Sequence, residues 1–181
     1  AQADPEAICV GETSEIKAIL SSGSASDYSF KWSNNKTTQD IVVNPTTTTS
    51  YTVTVTQNAT GCKVVSNAAE VAVNKLPEFT ITFDPDEVCE GVVTSVTMKM
   101  VSAGSATISS YTYVSGGDDF TASGTLGEYN SKAGKSWSAN TTYTYKATSD
   151  KGCISLPVAG TLKVSPKPAT PSFAISPTEI C

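Results

Sequence analysis

Five cysteines carry most of the chemistry this sequence can offer: Cys9, Cys62, Cys89, Cys153 and Cys181. None sits in a C-x-x-C pair, so zinc and thioredoxin-like redox chemistry lack their usual spacing. Each lies beside turn residues and recurs in register with another, which points to disulfides and an oxidising, extracytoplasmic compartment. The chain has no histidine, so the commonest general base and metal ligand is absent. No nucleophilic triad or zinc site can be assembled from what remains. The tight carboxylate pairs are Asp86-Glu87 and Asp118-Asp119. Neither has the setting that paired acids need for glycoside hydrolysis, and the chain reads as a non-enzyme. Hard cations favour clustered oxygens, which makes Asp84, Asp86, Glu87 and the nearby Glu90 the residues to consider for calcium. Their spacing matches no calcium loop, so a solvated linker is the preferred reading and no cofactor is expected.

The elements that position these residues are strands. Tyr51, Val53 and Val55 alternate with Thr52, Thr54 and Thr56, a period of two that marks a half-buried strand. Asn44-Pro45 precedes it and Asn58–Gly61 follows it, both turn-forming. The pattern returns at Ala139–Cys153. A second motif, Pro, three residues and then Cys, appears at Pro5–Cys9, Pro85–Cys89 and Pro177–Cys181. Upstream, Pro77–Ile81 matches Pro171–Ile175. These repeats divide the chain into a module at 1–75, a second at 76–166, and a linker with the first strand of a third at 167–181. The second module is longer through a Gly/Ser/Asp-rich insertion at about 115–136.

In the first module, strands are expected at Thr13–Leu20, Tyr28–Trp32, Asp40–Val43, Ser50–Gln57 and Lys63–Val73. In the second they are expected at Thr94–Val101, Ile108–Val114, Thr141–Thr148 and Ile154–Val164. Short strands separated by turn signals every 8–12 residues indicate an all-β fold of tandem sandwiches joined by short Pro-containing linkers. A charged fraction of 16% and abundant Thr and Val suit exposed sheet faces. The net charge of −5 argues against nucleic acid and anionic membrane surfaces as partners. No apolar run approaches the roughly 20 residues that span a bilayer, and no membrane insertion is expected. Without a starting Met or signal peptide, the chain reads as a piece of something longer. Three N-x-[ST] triplets, at Asn35, Asn58 and Asn140, fit glycosylation but arise readily in a Thr-rich sequence.

Cys9, Gly11, Trp32, Pro45–Thr49, Tyr51–Thr56, Gly61 and Cys62 together resemble the Ig-like and PKD-like repeats of Bacteroidota cell-surface proteins. Cys89, Gly91, Thr141–Tyr145, Gly152 and Cys153 match more loosely. That group includes adhesins of gliding bacteria and proteins exported by the type IX secretion system. The resemblance implies an extracellular or cell-surface location and a structural or adhesive role as a stalk or presentation module. Its partners would be neighbouring repeats of the same polypeptide, surface glycans or other cells. The competing class is an accessory, carbohydrate-binding module of a secreted hydrolase. Trp32, Tyr51, Tyr113 and Tyr143 alternate onto core faces, so Tyr129 and Trp137 in the insertion are the candidates for ligand contacts.

An Ig domain carries Tyr-x-Cys where this chain has Val53 after Tyr51 and Tyr145 after Tyr143, so the usual inter-sheet bridge is missing. The simplest pairing is one bridge per module, Cys9–Cys62 and Cys89–Cys153, with Cys181 left unpaired. Each such loop would contribute about 3–4 kcal/mol in a chain-entropy picture. In strict Ig topology, however, the two cysteines of a module lie at opposite ends of the sandwich. The alternative is a bridge across modules, such as Cys9–Cys153.

Overall fold

Alternation of β-branched and aromatic residues with Thr and Ser produces short strands throughout. The computed structural model describes residues 1–118, 120 and 127–172. Among them there is no α-helix, only a 3-10 turn at Ala25–Asp27. The chain divides into two compact units. One comprises residues 1–78, 104–109 and 147–156; the other comprises the described residues of 79–103, 110–146 and 157–172.

In the first unit, β1 (Gln2–Asp4) pairs antiparallel with β3 (Ser14–Lys17), which pairs antiparallel with β5 (Asp40–Val43). After Pro5 the chain changes sheet. There β2 (Ala7–Cys9) runs parallel to β9 (Ala69–Asn74), with Cys9 opposite Asn74. β9 also pairs with β6 (Thr49–Tyr51). β7 (Val53–Gln57) pairs with β4 (Tyr28–Trp32) and, through a hairpin, with β8 (Lys63–Val65). The expected strand at Ser50–Gln57 is therefore interrupted at Thr52, which is held from Ser33 on both sides. The Thr52 N–H donates to Ser33 Oγ at 3.3 Å, and the Ser33 N–H donates to Thr52 O at 2.9 Å. Ile8, Ile16, Trp32, Ile41, Val53 and Val71 form the buried centre between these sheets. The Trp32 indole stays satisfied there by donating to Thr38 O at 2.8 Å.

In the second unit, β10 (Phe79–Asp84) pairs with β12 (Thr97–Ser102), which pairs with β14 (Glu128–Asn130). β11 (Glu87–Cys89) runs parallel to β16 (Val158–Ser165), with Cys89 opposite Ser165. β16 pairs antiparallel with β15 (Thr141–Ser149), and β13 (Ile108–Ser115) lies on the other side of β15. The order of pairings in the first unit thus recurs: an opening strand on one sheet, a Pro, then a parallel contact with the last strand. Within 115–136 the residues at 128–130 form β14, which meets β12 as β5 meets β3.

Aromatic rings fill this second core. Tyr143 lies edge-on to Phe120 at 5.0 Å and tilted against Phe83 at 5.8 Å. Phe79 meets Tyr111 edge-on at 5.2 Å. Such offset geometries add to the area these rings bury.

Candidate functional site

The bridge that forms is Cys9–Cys153, with Cα atoms 5.6 Å apart and a sequence separation of 144 residues. That spacing is ordinary for a disulfide, and both cysteines belong to the first compact unit. Two different backbone frames present them. Cys9 ends β2. The Val10 N–H donates to Asn74 O at 3.0 Å and the Glu12 N–H donates to Cys9 O at 3.0 Å. The Glu12 carboxylate accepts from the Cys9 N–H at 2.8 Å. Gly11, at φ +95°, makes this reversal without a side chain in the way. Cys153 closes the turn after β15. The Ser149 N–H donates to Cys153 O at 2.8 Å, and Ser149 Oγ accepts from the Cys153 N–H at 3.1 Å. Cys153 is buried, and Ile154 continues as a β-bridge to Thr148. On a chain-entropy basis, a closed loop of this length stabilises the fold by about 5 kcal/mol.

This result corrects the one-bridge-per-module pairing, and the strand register explains why. Cys9 stands beside Asn74, the last residue of β9. Cys62 stands at the other end of the same return run, just before β8, and the 12-residue rise from 62 to 74 spans roughly 30–40 Å at strand pitch. Cys89 stands beside Ser165, the last residue of β16, and belongs to the second unit, whereas Cys153 belongs to the first. A disulfide needs Cα atoms within about 7 Å. Among the described residues, Cys62 and Cys89 are exposed free thiols. Cys181 lies outside the described residues.

The remaining candidates do not converge. Asp84 sits in β10 opposite Thr97. The Asp86 carbonyl accepts from the Lys163 N–H at 3.2 Å, and a Glu87 carboxylate oxygen accepts from Ser165 Oγ. Among the described residues, no group of three or more His, Cys, Asp or Glu side chains is placed to hold a metal ion. Asp118 is bound by Lys135 at 3.3 Å, with Lys132 at 3.7 Å. The Lys135 hydrogen bond, aided by the charges of both lysines, holds its carboxyl below the usual range. Asp119 lies outside the described residues.

Trp137 is buried rather than available to a ligand, at 4% exposure, and its indole donates to Tyr143 Oη at 3.4 Å. Its position in a Gly/Ser-rich stretch hid this, because no strand periodicity marks it as a core residue. Tyr129 is half-buried in β14 and stacks on Tyr145 at 6.2 Å, and its hydroxyl has no partner among the described residues. Trp32, Tyr51 and Tyr143 are buried and Tyr113 is half-buried. Glu12 and Ser149, the residues that fix the bridge, belong to no motif in the sequence. Their one signal is a polar side chain three or four residues from a cysteine across a Gly-containing turn.

No protein-family profile matches this chain, and no curated protein matches it. Solved structures do. Fibronectin(III)-like modules of CbhA from Clostridium thermocellum are 14% identical at a TM-score of 0.40, covering 94% of this chain and 98% of theirs. The three N-terminal domains of the highly immunogenic outer capsid protein of bacteriophage RB49 are 15% identical at 0.40, covering 91% of this chain and 57% of that one. The sialic acid binding region of a Streptococcus sanguinis adhesin is 14% identical at 0.30, covering 67% of this chain and 38% of that one.

Proposed function

We propose that this chain is a structural repeat of a secreted or surface-anchored protein, a stalk that holds other parts of that protein away from a surface. Membership of the Bacteroidota adhesin group, with a role in adhesion or gliding, is part of this reading and rests on the sequence resemblance given above. The observation that carries the mechanical role is the Cys9–Cys153 bridge across 144 residues. Tension applied at the two ends of the chain passes through the two sulfurs. The β-structure between Cys9 and Cys153 is then shielded from the pull. A bridge of this kind also belongs to an oxidising compartment. Among the described residues, no helix is long and apolar enough to cross a membrane.

Single-molecule stretching between handles placed before Cys9 and after Cys153 tests this. Without reductant, the segment between the cysteines should not extend. With reductant, the fully unfolded contour should grow by about 500 Å, from 144 residues at 3.3–3.6 Å each. Equal contour lengths in both conditions would refute force shielding.

A further inference from the structure

Each cysteine of the closed bridge has a counterpart in the chain, a free thiol at the end of a like strand or in a like hairpin turn. The Cys9 frame is rebuilt at Cys89. The Glu90 N–H donates to Ser165 O at 2.8 Å, as Val10 does to Asn74 O. The Val92 N–H donates to Cys89 O at 3.2 Å, as Glu12 does to Cys9 O. Both cysteines are the third residue of a short strand running parallel to the last strand of its half, and both are followed two residues later by a positive-φ glycine, Gly11 or Gly91.

Cys62 stands in a related hairpin turn, one residue longer than the turn that presents Cys153. The Gln57 N–H donates to Cys62 O at 2.8 Å, as the Ser149 N–H does to Cys153 O. Gly61 and Gly152 precede the cysteines at φ +72° and φ +79°. In both turns a side-chain hydroxyl accepts from the cysteine N–H, Thr60 Oγ1 from two residues before Cys62 and Ser149 Oγ from four residues before Cys153. The Cys9–Cys153 bridge joins a strand-end cysteine to a hairpin cysteine later in the chain. Among the described residues the exposed thiols, Cys62 and Cys89, are one of each kind.

We propose that Cys62 and Cys89 are two complementary open halves of the same clasp, each reserved for a further copy of this repeat. This inference rests on the repeat reading above. Cys89 would take the hairpin cysteine of a copy placed after it, and Cys62 the strand-end cysteine of a copy placed before it. Successive copies are thereby cross-linked as Cys9 and Cys153 already are. Forming the bond removes one proton from each thiol and two electrons in total. A small-molecule disulfide such as oxidised glutathione accepts both and leaves as two thiols.

The test uses two variants of the whole chain. Cys62→Ser with Cys181→Ser keeps the strand-end thiol, and Cys89→Ser with Cys181→Ser keeps the hairpin thiol. Both retained thiols are exposed. A Cys9–Cys153 peptide in each non-reduced digest verifies the fold. In a glutathione redox buffer the mixed variants should yield a Cys62–Cys89 heterodimer about tenfold over either homodimer, where unselective exchange gives about twofold. Homodimers at the unselective ratio, or glutathione adducts with no heterodimer, would overturn the clasp. Either result would leave the stretching experiment unaffected, since that depends on Cys9–Cys153 alone.

Discussion

Three tyrosines of the second unit show what burial does to a single residue. Tyr111, Tyr129 and Tyr145 all have phenols pushed above their ordinary value, chiefly because burial disfavours the phenolate. The shift is largest for Tyr145, which is buried and donates to the Phe120 carbonyl. The consequence for stability has a definite sign. The unfolded chain releases these protons near pH 10 while the folded chain keeps them. The stabilising difference is therefore whole below pH 10 and is lost as pH rises through and beyond it. In an alkaline titration followed by phenolate absorbance and circular dichroism, part of the signal from the seven tyrosines should appear only with loss of β-structure. Reversible titration of all of them near pH 10, with the structure intact, would contradict this packing.

Strands were legible where one face is buried over several residues. Tyr28–Trp32, whose alternate residues share a face, and the short strand Asp40–Val43 both occur with the expected bounds. Strands too short or too polar to show a period were harder to read. β2 offers only Ile8 to the core, and Glu128–Asn130 in β14 presents no apolar alternation. Gly160 shows the same limit. In a strand interior a glycine marks either weakness or a close backbone approach, and here it is the latter. A Cβ at Gly160 would come within 2.6 Å of Ile81 Cγ2 and 2.7 Å of Ile81 Cβ. These are branched atoms of a strand side chain, with little room to withdraw. Gly160→Ala should cost about 1–3 kcal/mol by overpacking, seen as a lower urea midpoint. An unchanged or raised midpoint would mean that β10 and β16 pack less closely than described.

For the molecule as a whole, the sequence motifs gave the cysteine classes but not their pairing. Pro-x-x-x-Cys and Gly-Cys are visible as strings, and they correspond to two distinct backbone frames. Which frame meets which depends on where a strand end lies after the chain has changed sheet at Pro5. It also depends on how residues 147–156 cluster with 1–78, and neither is a property of local pattern. The register then separates Cys9 from Cys62 by the length of a strand run and brings it to Cys153 instead. A peptide map of the unreduced protein, with thiols blocked before digestion, tests this pairing most directly. A Cys9–Cys153 cross-linked peptide is expected, with Cys62 and Cys89 recovered as blocked thiols. A map containing Cys9–Cys62 and Cys89–Cys153 would contradict it.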